Sequence, residues 1–493
     1  MLLFTTKIVG WKFQSLKPLL SYYKNTYCLA RALSVNVNVV EVENGLASIV
    51  GSKYVATSHA ICEQHSHDES YHRHLLPSIV VWPQSVGEVS EVAKLCTAHK
   101  MPMIPFGTGT GMEGGVAPMG PSVSINLTKL NEITDLHLDD FDVKAQPGVT
   151  RKQLNYDLRS TGLWFPVDPG SDASLCGMAA TGASGTNAVR YGTMKQNVLN
   201  LQVVLADGTI LHTAGEKRRC KKSSAGYNLT ELFIGSEGTL GFITSATLRL
   251  HGQPEMTKSA VCSFPTIMDA VNTAMQILQC SIPIARIELL DETSIKAVNN
   301  YSHLTHPEMP HLFLEFHGSA ASTGEQVDQT AEIAGLNSGS EFKWAETQEE
   351  HNHLWQARHD LWYAVKAFKP GSTAISTDAC VPVSALAEAI SHSAALLDES
   401  GLIGGILGHV GDGNYHCFVI VEDDQAKLVE SLTKAIGKKA IELGGTCTGE
   451  HGIGIGKRPL LKEEVGEKTL KLMKAIKCSF DPLGLMNPGK VFS

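Results

Sequence analysis

The stretch Pro105-Phe-Gly107-Thr-Gly109-Thr-Gly111-Met-Glu-Gly114-Gly115 follows an apolar run, residues 101–106, that reads as a strand. Closely spaced glycines permit positive φ and close backbone approach, so successive N–H groups can converge on a pyrophosphate. Gly109 to Gly114 formally fits GxGxxG. That fingerprint requires a helix to open after the loop, and Val116-Ala-Pro118-Met-Gly120-Pro121 cannot open one. Gly452-Ile-Gly-Ile-Gly456-Lys457-Arg458 is not a Walker A loop either, because the first glycine and the Ser/Thr after the lysine are missing. What remains is a phosphate cradle of another type or a plain glycine-rich turn. A second stretch of small residues runs from Pro166 to Gly185, and a third is Gly235-Ser-Glu237-Gly-Thr-Leu-Gly241-Phe-Ile243. Small side chains let backbone lie flat against a planar ligand. Each stretch alone is a weak signal; three in this order within one domain are a strong constraint.

At 493 residues the chain exceeds one ordinary core, and two folded units are expected. The formal charge of −9 argues against nonspecific nucleic-acid binding, as does the lack of a basic stripe. No uninterrupted apolar run reaches the roughly 18 residues of a membrane span. Residues 1–34 carry Lys7, Lys12, Lys17, Lys24 and Arg31 but no acid, the composition of a mitochondrial transit peptide. Its removal would leave a formal charge of about −14, suited to docking a basic redox partner. The cysteines are odd in number and lack a CxxC pair, so neither a disulfide framework nor a zinc ribbon is indicated. The cluster His59, Cys62, His65, His67, His72, His74 has no regular ligand spacing and reads as a polar loop.

A second local constraint is His409-Val-Gly-Asp-Gly-Asn-Tyr-His416, flanked by apolar runs. Asp412-Gly413 suits a two-residue type I′ turn, which sets His409 directly opposite His416, with Cβ atoms roughly 5 Å apart. Two imidazoles so placed are half of a metal site. Glu450, in Gly449-Glu-His451-Gly452, can supply the carboxylate and leave positions open for substrate. On spacing alone, a polar hairpin with two solvated histidines is an equal reading.

Residues 79–81 and 101–106 read as strands around a helix at 86–99, and Asp207-Gly208 marks another hairpin. Residues 242–250 alternate as a closing strand. After Gln253-Pro254 the texture changes: 259–264, a helical run at 267–278 and 285–289 form a β-α-β unit. The tail from Asp481 is composed to fold back on the first domain.

With Pro77-Ser-Ile-Val-Val-Trp-Pro-Gln84 at its entrance, the glycine-rich region resembles the FAD-binding domain of the vanillyl-alcohol-oxidase type. With the two histidine segments, roughly residues 55 to 493 resemble the FAD-dependent D-2-hydroxyacid dehydrogenases, above all their mitochondrial, cytochrome-linked D-lactate branch. The resemblance implies an α+β protein: a two-subdomain FAD-binding domain (55–255), a ferredoxin-like α+β substrate cap (256–480) and a returning tail (481–493). Gly107, Thr108, Gly109, Thr110, Gly111 and Gly114 would hold the FAD pyrophosphate. Asp168, Pro169, Ser171, Gly177, Thr181, Ser184, Gly185, Glu237 and Ile243 would line the rest, with Asn487 near the flavin. The first loop has no histidine, so the FAD is expected to be non-covalent. Where many relatives have Thr-Asn-Ala-Ser-Gly, this chain has Thr181-Gly-Ala-Ser-Gly185, which removes one side-chain contact.

The resemblance makes His409, His416 and Glu450 ligands of a divalent metal such as zinc or manganese, and His451 the base. A divalent ion acidifies a 2-hydroxyl and an imidazole can take its proton near neutral pH. Helical spacing puts Arg358 on an apolar face with Leu354, Leu361 and Val365. An internal acid is its plain partner; the family places a substrate-carboxylate clamp there. Ser376 stands where 2-hydroxyglutarate dehydrogenases carry a lysine for a second carboxylate, which favours a monocarboxylate such as D-lactate. Trp362 and Tyr363 suit either an apolar pocket or core packing. The expected partners are a small 2-hydroxy acid and an electron acceptor such as cytochrome c, in mitochondria, with any inner-membrane contact peripheral. A D-2-hydroxyglutarate or glycolate dehydrogenase or oxidase of the same family is the nearer rival. A catalytically silent metal-binding assembly protein is the more distant one.

Overall fold

The computed structural model describes residues 38–72, 75–422 and 425–492. The transit-peptide reading, for 1–34, and His74 of the histidine cluster lie outside the described residues. Helix Val39–Val50 starts at Asn38, whose side chain caps the Glu41 amide, and buries Val42, Leu46 and Val50. These side chains enter the core of a four-stranded sheet ordered β1 (Val55–Ala56), β2 (Ile79–Val81), β4 (Val123–Asn126), β3 (Met103–Phe106). Strands β2, β4 and β3 run parallel and are almost wholly buried, as expected of a sheet with helix Val86–Ala98 packed on it.

The second sheet is antiparallel, ordered β5 (Ile133–His137), β6 (Asp142–Ala145), β10 (Phe242–Arg249), β8 (Val198–Val204), β9 (Ile210–His212). β10 does not close this sheet; it is the central strand, and its buried residues include both faces of the pleat. Beside it, β7 (Leu163–Trp164) pairs with β11 (His251–Gly252). The loop after β9 amends the reading of charge. Lys217, Arg218, Arg219, Lys221 and Lys222 form a largely exposed basic run, tied to the β5–β6 hairpin by Arg219, which pairs with Asp140 and Asp142.

The third sheet is antiparallel throughout, ordered β15 (Lys343–Trp344), β12 (Met256–Ser263), β14 (His311–Gly318), β13 (Arg286–Leu290), β18 (Gly404–His409), β19 (Asn414–Val421), β16 (Thr373–Ser376), with β17 (Ala379–Cys380) also on β19. The β-α-β unit is present in split form. β12 and β13 are joined by helix Ile267–Gln279, and β14 lies between them. One sheet face buries that helix with Ala320–Leu336 and Leu386–Ser400 in the largest core of the molecule.

The β18–β19 hairpin departs from the type I′ expectation. His409 pairs with Asn414 and Leu407 with His416, so residues 410–413 form a four-residue loop. A type I′ turn needs positive φ at both central residues, and of Asp412 and Gly413 only Gly413 has it, at +89°. Gly413 is fixed there by crowding, because an added Cβ would lie 2.0 Å from the Val381 carbonyl oxygen. The register therefore moves by two residues. An even shift preserves the face, so His409 and His416 are diagonal neighbours on one side, ring centroids 5.3 Å apart.

Candidate active site

A cavity of about 860 Å³ lies where the three glycine-rich stretches meet the third sheet. Gly107, Thr108, Gly109, Thr110, Gly111, Asp168, Pro169, Ser171, Gly177, Thr181, Gly185, Glu237, Ile243 and Asn487 all line it. Gly114 and Ser184 do not. Gly114 packs against His72 and Ile455, and the Ser184 amide donates to the Glu450 carboxylate at 3.2 Å. Among the described residues, the amides of Thr108, Gly109, Thr110 and Gly111 donate to no protein acceptor. Asn487 Oδ1 is buried without a partner although its Nδ2 bridges the Gly115 and Glu237 carbonyls. Unpaired donors in a glycine loop suit phosphate oxygens, and an orphaned carbonyl oxygen suits a ligand donor; both fit a bound FAD. Two acids of the lining face inward to the protein. Asp168 accepts from Thr186 and Asn187 and pairs with Arg286. Glu237 accepts the Ile453 and Gly454 amides at 2.7 Å each, and burial pushes its carboxyl up to about 7.

The opposite wall carries Arg358, His409, His416, Glu450 and His451. Glu450 Oε1 lies 3.4 Å from His409 Nε2 and 3.1 Å from His416 Nε2. Both imidazoles are anchored through the other nitrogen: His416 Nδ1 donates to the Thr377 carbonyl (2.9 Å), and His409 Nδ1 donates to Glu288 (2.8 Å). With Nδ1 as donor, a neutral ring turns its Nε2 lone pair toward the carboxylate. That assembly of lone pairs calls for a cation. Burial opposes charge on His409, but with no metal between them Glu288 and Glu450 outweigh it and hold its pKa well above the usual range, so a proton on Nε2 takes the place a cation would fill. Burial would raise Glu450, and its two histidine partners hold it well below. The donor set therefore fits a divalent metal.

His451 stacks on His416 with centroids 4.9 Å apart, and its Nδ1 is buried without a partner. Burial lowers its pKa, which keeps the ring neutral and available for a proton. Its loop is pinned by Asp378, which accepts from Thr448 Oγ1 (2.6 Å) and from the Glu450 and His451 amides (3.1 and 3.0 Å). Burial would raise Asp378, but Lys457 and the nearby imidazoles hold it far below the usual carboxylate range. Lys457 lies 3.5 Å from Asp378 and 2.8 Å from Glu113, so it braces this loop against the first glycine loop.

Arg358 does have an internal partner: its Nε donates to Glu288 Oε2 at 3.0 Å, with Nη2 on the same oxygen. Glu288, Asp378 and Lys457 were not singled out from sequence. The signal for Glu288 was an acid inside the apolar strand Arg286–Leu290, and for Lys457 a lysine closing a glycine-rich segment. Ser376, Trp362 and Tyr363 line the cavity; Trp362 meets Phe418 edge-on and Tyr363 is largely exposed. His65 of the early histidine cluster turns inward to Asn126 and the Ile61 carbonyl. Among the described residues, the two groups able to hold a metal are His409–His416–Glu450 and Asp378–His416–His451.

Residues 77–214 match the family described as FAD binding domain, and residues 253–491 match FAD linked oxidases, C-terminal domain. The chain is 56% identical over 466 residues to a probable mitochondrial D-lactate dehydrogenase of Danio rerio, covering 94% of each protein. It is 44% identical over 427 residues to the mitochondrial D-lactate dehydrogenase [cytochrome] of Arabidopsis thaliana, covering 86% of this chain and 75% of that one. Its fold is that of the solved 4-ethylphenol oxidase from Gulosibacter chungangensis, with a TM-score of 0.76 at 16% identity over 92% of this chain and 97% of that one. The vanillyl-alcohol-oxidase-type fold, the paired FAD domains and the close relatives agree: the chain belongs to the FAD-linked oxidases, among the mitochondrial FAD-linked D-lactate dehydrogenases.

Proposed function

We infer that this protein oxidises D-lactate to pyruvate in mitochondria, with FAD as first acceptor and a cytochrome-type acceptor downstream, of which cytochrome c is the specific candidate. The observation that carries the reading is the opening of His409, His416, Glu450 and His451 into the same cavity as the glycine loops. Bound there, FAD supplies the two-electron acceptor for the Cα hydride, and a divalent cation held by His409, His416 and Glu450 supplies Lewis acidity at the 2-hydroxyl.

The remaining work falls to the chain. His451, neutral and half-buried, takes the hydroxyl proton on its ring while Asp378 holds its backbone in place. Arg358, already oriented by Glu288, offers its remaining N–H groups to the substrate carboxylate. The glycine loop amides would hold the pyrophosphate, and the unpartnered Asn487 Oδ1 would be available to the cofactor. Ser376 lines the cavity with its hydroxyl turned to the Thr377 carbonyl at 3.0 Å, so it adds no cation for a second carboxylate. This supports a monocarboxylate.

Anaerobic addition of D-lactate, L-lactate and D-2-hydroxyglutarate to the purified, metal-analysed protein tests the reading. D-lactate should bleach the flavin absorbance at far lower concentration than the other two. Preferential bleaching by D-2-hydroxyglutarate would overturn the substrate assignment, and absence of flavin would overturn the activity.

A further inference from the structure

Glu288 lies on β13, in the register position facing His409 on β18, as the pairs Leu289 to Gly408 and Leu290 to Leu407 require. It is 1% exposed, and its two oxygens are divided between two partners. Oε1 accepts from His409 Nδ1 at 2.8 Å, and Oε2 accepts from Arg358 Nε at 3.0 Å and from Nη2. His409 belongs to one strand and Arg358 to helix Gln348–His359, two elements that also share the core of Leu354, Trp355 and Leu407, and the carboxylate adds a polar tie between their functional side chains. A plain counter-ion for Arg358 would use both oxygens in a fork. Here one oxygen is given up to the imidazole, whose Nε2 is thereby turned toward Glu450.

We propose that Glu288 is a shared positioning residue, which fixes a metal ligand and the substrate-carboxylate clamp through one carboxylate, so that cation affinity and substrate affinity depend on the same side chain. This rests on the metal and clamp reading given above. Glutamine cannot replace it, because His409 Nδ1 and the guanidinium are both donors and an amide offers an acceptor to only one of them.

The test is Glu288→Gln in the flavin-loaded protein, with two readouts. The first is Mn²⁺ or Zn²⁺ affinity by chelator competition without substrate, expected to fall about 10- to 100-fold, as when the outer partner of a ligating histidine is lost. The second is the D-lactate KM at saturating metal, expected to rise about tenfold for a lost charge-assisted bond, with kcat changed less. Unchanged metal affinity overturns the proposal, and so does a KM that returns to the wild-type value once metal saturates. Should Glu288→Gln lose its flavin, Glu288→Asp, too short to span both partners, is judged by the same two readouts. If the wild-type protein binds neither cation, the metal reading itself fails, which is a separate result from wild-type and variant binding equally.

Discussion

The two walls of the cavity are made from different materials. The cradle is backbone: in its first glycine loop the amides of Thr108, Gly109, Thr110 and Gly111 find no acceptor among the described residues, so a ligand must complete them. The opposite wall is side chain, with each functional group held by another buried group: His409 by Glu288, His416 by Thr377, the Glu450–His451 loop by Asp378. A wall of backbone tolerates a bulky ligand but offers little reactivity. A wall of paired charges offers reactivity, but each charge depends on its partner, since removing one leaves the other buried and uncompensated.

The sharpest division is expected from His416→Ala. Removing one ligand should lower D-lactate turnover by about a thousandfold, some 4 kcal/mol of transition-state stabilisation. Flavin content, read from absorbance, should stay at the wild-type level; loss of flavin as well would mean the walls are not separable. Lys457→Met attacks the division itself, because Lys457 joins Asp378, behind one wall, to Glu113 on the other. Two buried carboxylates lose their cation, and the stability measured by denaturant should fall by about 3–5 kcal/mol, with flavin and metal lost together. Gly109→Val is the mirror of the histidine change. Gly109 sits at φ +70°, and an added Cβ would lie 3.0 Å from the Phe106 ring. Flavin affinity should weaken about 10- to 100-fold while metal analysis finds the cation retained.

The smallest effect concerns a buried acid without a cation. Asp291 caps helix Glu292–Ser302 through the Ser294 amide, and burial pushes its carboxyl up from 3.8 to about 6. A folded-state value above the unfolded one means that the contribution is fully present below pH 3.8 and is lost as pH rises through 6. Asp291→Asn keeps a capping oxygen and removes the titration. Thermal unfolding should therefore show the variant gaining on wild type between about pH 4 and 6, by about 1–3 kcal/mol at the plateau. No such gain would mean that Asp291 is as well compensated as the acids of the site.

The same contrast explains what could be read in advance. Glycine loops are local signals, and so are helix starts such as Ser85 before Val86–Ala98 and Thr266 before Ile267–Gln279; these elements formed close to where their spacing put them. The diagonal placement of His409 and His416 was not local. It goes with a four-residue loop whose Gly413 packs against the Val381 backbone, a contact made outside the hairpin itself. Glu288, Asp378 and Lys457 lie about 80 to 170 residues from one another, and no spacing rule joins them. Arg358 shows the middle case: helical periodicity exposed the need for an anion, and only the fold supplied Glu288.

The chain's last segment re-enters the first sheet. Met486 bridges in parallel to Met103, the Asn487 side chain grips Gly115 and Glu237, and Lys490 reaches the Ala117 carbonyl. During synthesis the nascent polypeptide displays its glycine cradle long before this strap emerges, and the whole cap must be made in between. Cofactor loading is thereby made a late event in maturation: a chain stalled or clipped ahead of residue 486 would carry every glycine of the cradle and still hold its flavin poorly.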